Sequence, residues 1–229
     1  MKTLTLLASL ALSSQLHAVE IRDIDNAVNH MAVDQLQTMA SESQGYEQAY
    51  ANYRLAISAN VMGDRNTAQT AIDAAEHTLE SLNGNQDNSE VLILLAATYG
   101  MQIGLDPQTG ATYGGKIYQA LEQAKQLTPN NPRLLLVKAM NAFNTPAAYG
   151  GSKQNSIDLS SKAIELFAEP CDNICWGHAE AYTWRGLAKQ ELGDNAGAIA
   201  DWQNAINVDS GYGWANFLLQ QNQSLSVKN

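Results

Sequence analysis

Two short stretches carry residue types that could do chemistry. GATYGGK, residues 110–116, comes close to a phosphate-binding loop, in which G-x-x-x-x-G-K is followed by a Ser or Thr whose hydroxyl holds a metal ion. Ile117 stands at that last place and has no hydroxyl, and a helical rather than a strand-like pattern precedes the glycines, so nucleotide binding is not expected. EPCDNICWGH, residues 169–178, brings together Cys171, Cys175 and His178. These are zinc-ligand types, but a closed site needs a fourth ligand, and the C-x-x-C-H of a haem attachment is absent. In an oxidising compartment two cysteines this close form a local disulfide most simply. The remaining histidines beyond the leader, His30 and His77, sit in no motif, and the carboxylates are scattered at helical surface spacing. Without a nucleophile and its base, a carboxylate pair at a cleft or a full metal set, the expectation is no enzyme, no cofactor and no metal.

The compartment follows from the first residues. MKTLTLLASLALSSQLHA gives a lysine, an apolar run from Leu4 to Leu12 and a polar stretch ending in Ala18, which reads as a secretory signal cleaved after Ala18. The run is too short to span a bilayer. No cysteine lies near the cleavage point to carry a lipid, so residues 19–229 are expected as an exported, periplasmic protein. Removing the leader takes one of 13 basic side chains and none of 23 acidic ones, leaving 12 against 23, a formal charge of −11. Such a surface is a poor partner for nucleic acid or anionic lipid.

The elements that hold these stretches are helical almost throughout. Ile21, Ile24, Val28, Met31 and Met39 line an opening helix; a second runs over about 46–62 and breaks at Gly63-Asp64, and a third over about 67–82. Helix, tight turn, helix and loop then recur. AEAYTWRGLAKQELGDNAGAIADWQNAINVDS, residues 179–210, is the clearest copy. Gly186 and Ala198 are small where two helix backbones meet, and Trp202 is the large residue that fills the groove beside them. Residues 49–80 fall on the same register through Leu55, Ala56, Gly63, Ala68, Ile72 and Ala75.

On these residues the chain resembles the tetratricopeptide family, whose repeats are antiparallel helix pairs. Arg185, Lys189 and Ser210 depart from the pattern where Leu, Tyr and Pro are usual. The resemblance implies an all-α, α-α superhelix of about four helix pairs, at about 47–80, 89–129, 132–167 and 179–210. An N-terminal helix opens it, and a capping helix over 213–222, with Trp214, Phe217 and Leu218 inward, closes it. Family ligand contacts, carried over by position, fall on Tyr50, Tyr53 and Asn60 in the first repeat, on Arg133, Met140, Phe143 and Asn144 in the third, and on Gln190 in the fourth. The resemblance therefore implies a concave face that takes another protein or a peptide, or alternatively a small apolar ligand of the kind carried by members that accompany periplasmic transport systems.

Tyr-Gly-Gly occurs twice, at Tyr113, Gly114 and Gly115 and at Tyr149, Gly150 and Gly151, nearly one family period apart. Each is expected to close an enlarged turn with its tyrosine packed inward. If the two loops lie on one edge, they and Lys116 would form a ridge able to accept an anionic group.

Overall fold

The computed structural model describes residues 18–84, 88–171 and 173–226; the expected signal segment lies almost wholly outside them. Among the described residues there is helix and no strand. Helices α1 (Ile21–Asn29), α2 (Val33–Glu42), α3 (Gly45–Val61), α4 (Arg65–Asn83), α5 (Ser89–Leu105), α6 (Gly110–Leu127), α7 (Pro132–Asn144), α8 (Lys153–Phe167), α9 (His178–Glu191), α10 (Asn195–Val208) and α11 (Gly213–Ser226) follow one another. They pack as four antiparallel pairs, α3/α4, α5/α6, α7/α8 and α9/α10, stacked into an α-α superhelix. No described helix is long and apolar enough to cross a membrane.

The outer repeats are built by the same local chemistry. Gly63 and Gly193 take φ +85° and +89°, a left-handed conformation that ends the first helix, and the next residue's amide bonds back to Ala59 or Lys189. Asp64 and Asp194 then cap the second helix, accepting from the amides of Thr67 at 3.0 Å and Gly197 at 2.9 Å. Inside the fourth pair the expected close approach is present. A Cβ on Gly186 would stand 2.5 Å from Trp202 Nε1 and 3.1 Å from the Ala198 carbonyl oxygen. The departures at Arg185 and Lys189 have one explanation, Asp201. This carboxylate is buried in α10 and receives Arg185 Nε at 2.9 Å, Arg185 Nη2 at 2.6 Å and Lys189 Nζ at 2.8 Å.

Three expectations are corrected. The opening helix is two, α1 and α2, broken at 30–32 where Met31 takes φ +52°. Phe217 on the cap is exposed, because no described element packs over that side of α11, whereas Trp214 is half-buried and Leu218 buried. GATYGGK is no turn: α6 starts at Gly110, and Gly114 and Gly115 lie within it.

Candidate functional site

The inner layer of the superhelix is formed by the first helix of each pair, and its N-terminal part is filled. Tyr50 is 0% exposed and Tyr53 3%. The Tyr50 hydroxyl donates to Asp25 of α1 at 2.6 Å, and its ring stacks on Trp176 at 5.6 Å. Arg54, also buried, reaches Glu180 of α9 at 3.3 Å and Asp25 at 3.5 Å, so the first repeat is tied directly to the fourth. The first and last described helices meet as well: α1 touches α11, and Asn29 Nδ2 donates to Asp209 at 3.0 Å. Helix α5 buries every residue from 91 to 99, on all its sides. Arg133 is likewise engaged, in a two-pronged pair with Glu90 at 2.8 and 2.6 Å. Tyr50 and Tyr53 therefore belong to the closed core, while Arg133 is half-buried with its guanidinium spent on Glu90.

Burial governs the titration of these groups. It pushes the Asp25 carboxyl up, against the pull of Arg54 and of the Tyr50 hydroxyl. It also raises the hydroxyls of Tyr46, Tyr50, Tyr53 and Tyr212 above the ordinary tyrosine range. His178, stacked between Phe167 at 5.3 Å and Tyr182 at 5.6 Å, is pushed by burial below its usual 6.5.

Further along the inner layer aromatic rings remain partly open. Phe143 of α7 meets Trp184 of α9 edge-on at 5.2 Å, and Trp184 meets Trp214 of α11 at 5.1 Å. All three are half-buried. Phe143 sits near the end of α7, Trp184 midway along α9 and Trp214 at the start of α11, so the row crosses three helices diagonally. Lys153 Nζ stands 3.4 Å from the Phe143 ring centre, held there by the Phe143 carbonyl. Met140 flanks the row half-buried, and Asn144 is exposed one turn on, its amide bonded to the Met140 carbonyl at 2.9 Å. Gln190 bonds to Asn222 at 3.4 Å. Of the eight residues carried over by position, Met140, Phe143 and Asn144 thus share the last turns of α7, while Gln190 lies near the end of α9 against α11. Asn60 is exposed at the far end of α3. Trp184 and Trp214, central to the row, were not among the candidate contacts because position counting admits only the family's usual places; their large aromatic side chains on α9 and α11 were the signal.

The two Tyr-Gly-Gly loops are not a matched ridge. Tyr113 does turn inward: its ring lies 5.2 Å from Tyr99, and its hydroxyl, pushed up to about 12 by burial and by the Glu76 carboxylate to which it donates, sits 3.0 Å from that group. Lys116 lies over both rings at 4.8 and 5.3 Å and is already paired with Glu80 at 3.1 Å and Glu76 at 3.5 Å, which leaves no free cation for an anionic ligand. Tyr149, by contrast, ends a 3₁₀ turn (Ala147–Tyr149) and is 84% exposed. Gly150 at φ +90° and Gly151, tight against the Thr145 carbonyl, complete that turn before Ser152 caps α8.

Cys171 and Cys175 are joined in a disulfide, so their thiolates are not offered to a metal. Among the described residues no group of three or more His, Cys, Asp or Glu side chains is placed to hold one.

Neither a family model nor a curated protein matches the sequence. Solved structures do match in fold. TTC0263, a thermophilic TPR protein of Thermus thermophilus, superposes with a TM-score of 0.56 at 13% identity over 91% of this chain and 99% of its own. The HusA haemophore of Porphyromonas gingivalis superposes with a TM-score of 0.50 at 20% identity over 76% of this chain and 94% of its own. At these identities the likeness is one of architecture, and it agrees with the helix pairs and the Gly186–Trp202 contact: the chain has the tetratricopeptide-type α-α superhelix fold.

Proposed function

We propose that the protein is an exported, periplasmic binding scaffold that takes a segment of another protein, or a peptide, on the open part of its inner face. The observation that carries this reading is the row Phe143, Trp184 and Trp214, three half-buried rings in contact across α7, α9 and the capping helix α11. Half-buried aromatics offer area at little entropic cost and dominate binding energy where they are met by a partner. Gln190 and Asn144 at the edge supply amides that can pair with an extended backbone. The disulfide suits an oxidising compartment, and the excess of acidic side chains keeps nucleic acid away. No catalytic role is assigned to any residue.

The test places a photo-crosslinking residue at Asn144 or Gln190, with Gln119 on the exposed side of α6 as control, in cells exporting the protein. The inner positions should capture a defined partner that Gln119 does not, and Phe143→Ala with Trp184→Ala should abolish capture. Equal capture at all three positions, or capture indifferent to the double substitution, overturns the reading.

A second reading, a carrier of a small apolar ligand, is favoured by one feature. An open groove of about 530 Å³ between the α1–α2 joint and the end of α3 is lined by Met31, Ala32, Val33, Ala59 and Met62. The similar fold of a haemophore gives that ligand class a precedent. Titration with a haem or another apolar chromophore that shows no saturable binding removes it.

A further inference from the structure

Residues 173–177 lead from α8 to α9 without helical structure, yet they carry the residue that fills the inner face. Trp176 is 3% exposed; its Nε1–H donates to the Tyr46 hydroxyl at 2.9 Å, and its ring lies on Tyr50. Gly177, at φ +107°, passes so close to α7 that a Cβ would stand 2.8 Å from Leu136. One loop therefore spans inner-face positions of the first and third repeats, the place where a partner's side chain would sit in an open superhelix. The packing beside it is loose. A cavity of about 180 Å³ borders Trp176 and is lined by Tyr50, Arg54, Glu180 and Tyr212. Arg54, the most buried guanidinium described, also has the longest pairs, 3.3 and 3.5 Å against 2.6 Å for Arg133 and Arg185, and its Nε has no acceptor. What restrains the loop covalently is the Cys171–Cys175 bond, and both cysteines are exposed to a reductant.

We propose that Trp176 is an internal occupant of an aromatic-binding position on the inner face, held there by the Cys171–Cys175 disulfide, and that breaking this bond opens the position over Tyr46 and Tyr50 to an aromatic side chain of a partner protein. The proposal rests on the inner face being a binding surface and adds its regulation. The step is thiol–disulfide exchange with a dithiol reductant. One reductant thiolate attacks a sulfur of the pair, the Cys171–Cys175 bond breaks, and the second reductant thiol resolves the mixed disulfide. The protein gains two thiols and the reductant leaves as its own disulfide. In the chain-entropy model, closing a loop of about five residues shifts the ordered-to-disordered ratio by about thirty-fold, about 2 kcal/mol. Affinity for a ligand of the open form rises by the same factor while that form is scarce.

The experiment compares the oxidised protein, the protein reduced with dithiothreitol, and the Cys171→Ser/Cys175→Ser variant. Exchange of the Trp176 indole N–H is followed by NMR, its signal assigned through Trp176→Phe and that of Trp202 serving as the global reference. Binding of a capped peptide with a single tryptophan, and of its alanine counterpart, is measured in parallel. Reduction and the double serine variant should speed Trp176 exchange about thirty-fold while Trp202 is unchanged, and should strengthen binding of the tryptophan peptide, but not the alanine one, by a similar factor. Trp176→Ala with the disulfide intact, its helicity verified by circular dichroism, should bind the tryptophan peptide as well as the reduced protein does. Unchanged Trp176 exchange overturns the proposal, as does release of the loop without a gain in peptide binding. So does joint exposure of Trp176 and Trp202, which would make the disulfide a staple of the whole fold. Because the exchange is read without any partner, failure of the crosslinking at Asn144 and Gln190 is a separate result.

Discussion

Replacing single glycines by alanine tests the helix-pair packing through the sign of the effect. At Gly186 a Cβ would stand 2.5 Å from Trp202 Nε1, 2.8 Å from its Cδ1 and 3.1 Å from the Ala198 carbonyl oxygen. Trp202 is fully buried and the carbonyl belongs to α10, so neither can withdraw without parting the helices. Overpacking of this kind costs about 1–3 kcal/mol, against a gain of about 1 kcal/mol in helix propensity. The net is a loss of roughly 0–2 kcal/mol, or a fall in Tm of up to about 8 °C for a chain of this size. Gly114 and Gly115 lie inside α6 with nothing within 4 Å of the added Cβ, so the same substitution should stabilise by about 0.5–1 kcal/mol each. Differential scanning calorimetry of the oxidised protein reads all three. A Gly186→Ala variant that melts above the parent refutes the close helix approach. A Gly114→Ala or Gly115→Ala variant that melts below it refutes a helical GATYGGK.

Asp201→Ala strands Arg185 and Lys189 in the fourth pair and should cost about 3 kcal/mol in urea unfolding, while adding Arg185→Leu and Lys189→Tyr should restore most of it; a loss under about 1 kcal/mol, or no recovery, contradicts the compensation. Glu180→Ala leaves the buried Arg54 with only Asp25 and should cost a similar roughly 3 kcal/mol, whereas Arg54→Met with Glu180→Leu should cost less than the single change. If the single change is silent, the first and fourth repeats are not joined by this pair. At Glu80 burial acts to raise the pKa, but the Tyr99 hydroxyl and Lys116 outweigh it, so the folded value lies below the ordinary 4.5. The stability this gives is present above pH 4.5 and is lost as pH falls through the lower folded value. Lys116→Ala should therefore flatten the Tm-against-pH curve in that acid window and leave its slope above about pH 6 unchanged, and an unaltered acid limb counts against the pairing.

What could be read from sequence divides along local and non-local physics. The outer repeats were legible because their rules are local: Gly63-Asp64 and Gly193-Asp194 each supply a left-handed residue and a cap, and Gly186, Ala198 and Trp202 declare a contact by size alone. GATYGGK misled because three shared letters were taken to mean shared structure. The deciding residues lay outside them: Asp106-Pro107 starts a 3₁₀ turn that runs into α6 before the first Tyr-Gly-Gly, while Ser152 caps a helix that begins only after the second. Asp201 looked like one of many surface acids. Its role was legible only by pairing it with Arg185 and Lys189, the departures from the family pattern sixteen and twelve residues upstream.

The surroundings of the candidate contact residues differ for a related reason. A position count says which side chains face inward on a first helix; it does not say what else in the chain covers them. Tyr50 and Tyr53 are both buried, and Tyr50 is covered by α1 and by Trp176, neither of which belongs to the repeat pattern. The sequence held a hint of this in α5, apolar on every side, since a first helix bordering an open groove should keep a polar stripe toward the solvent. In the third and fourth repeats Phe143, Trp184 and Trp214 stay half-buried, with Lys153 over the Phe143 ring, and Met140, Phe143 and Asn144 share the last turns of α7. The inner face thus has a half that the protein fills with its own Trp176 and a half where Phe143, Trp184 and Trp214 stay half-buried, and the Cys171–Cys175 disulfide ends immediately before Trp176.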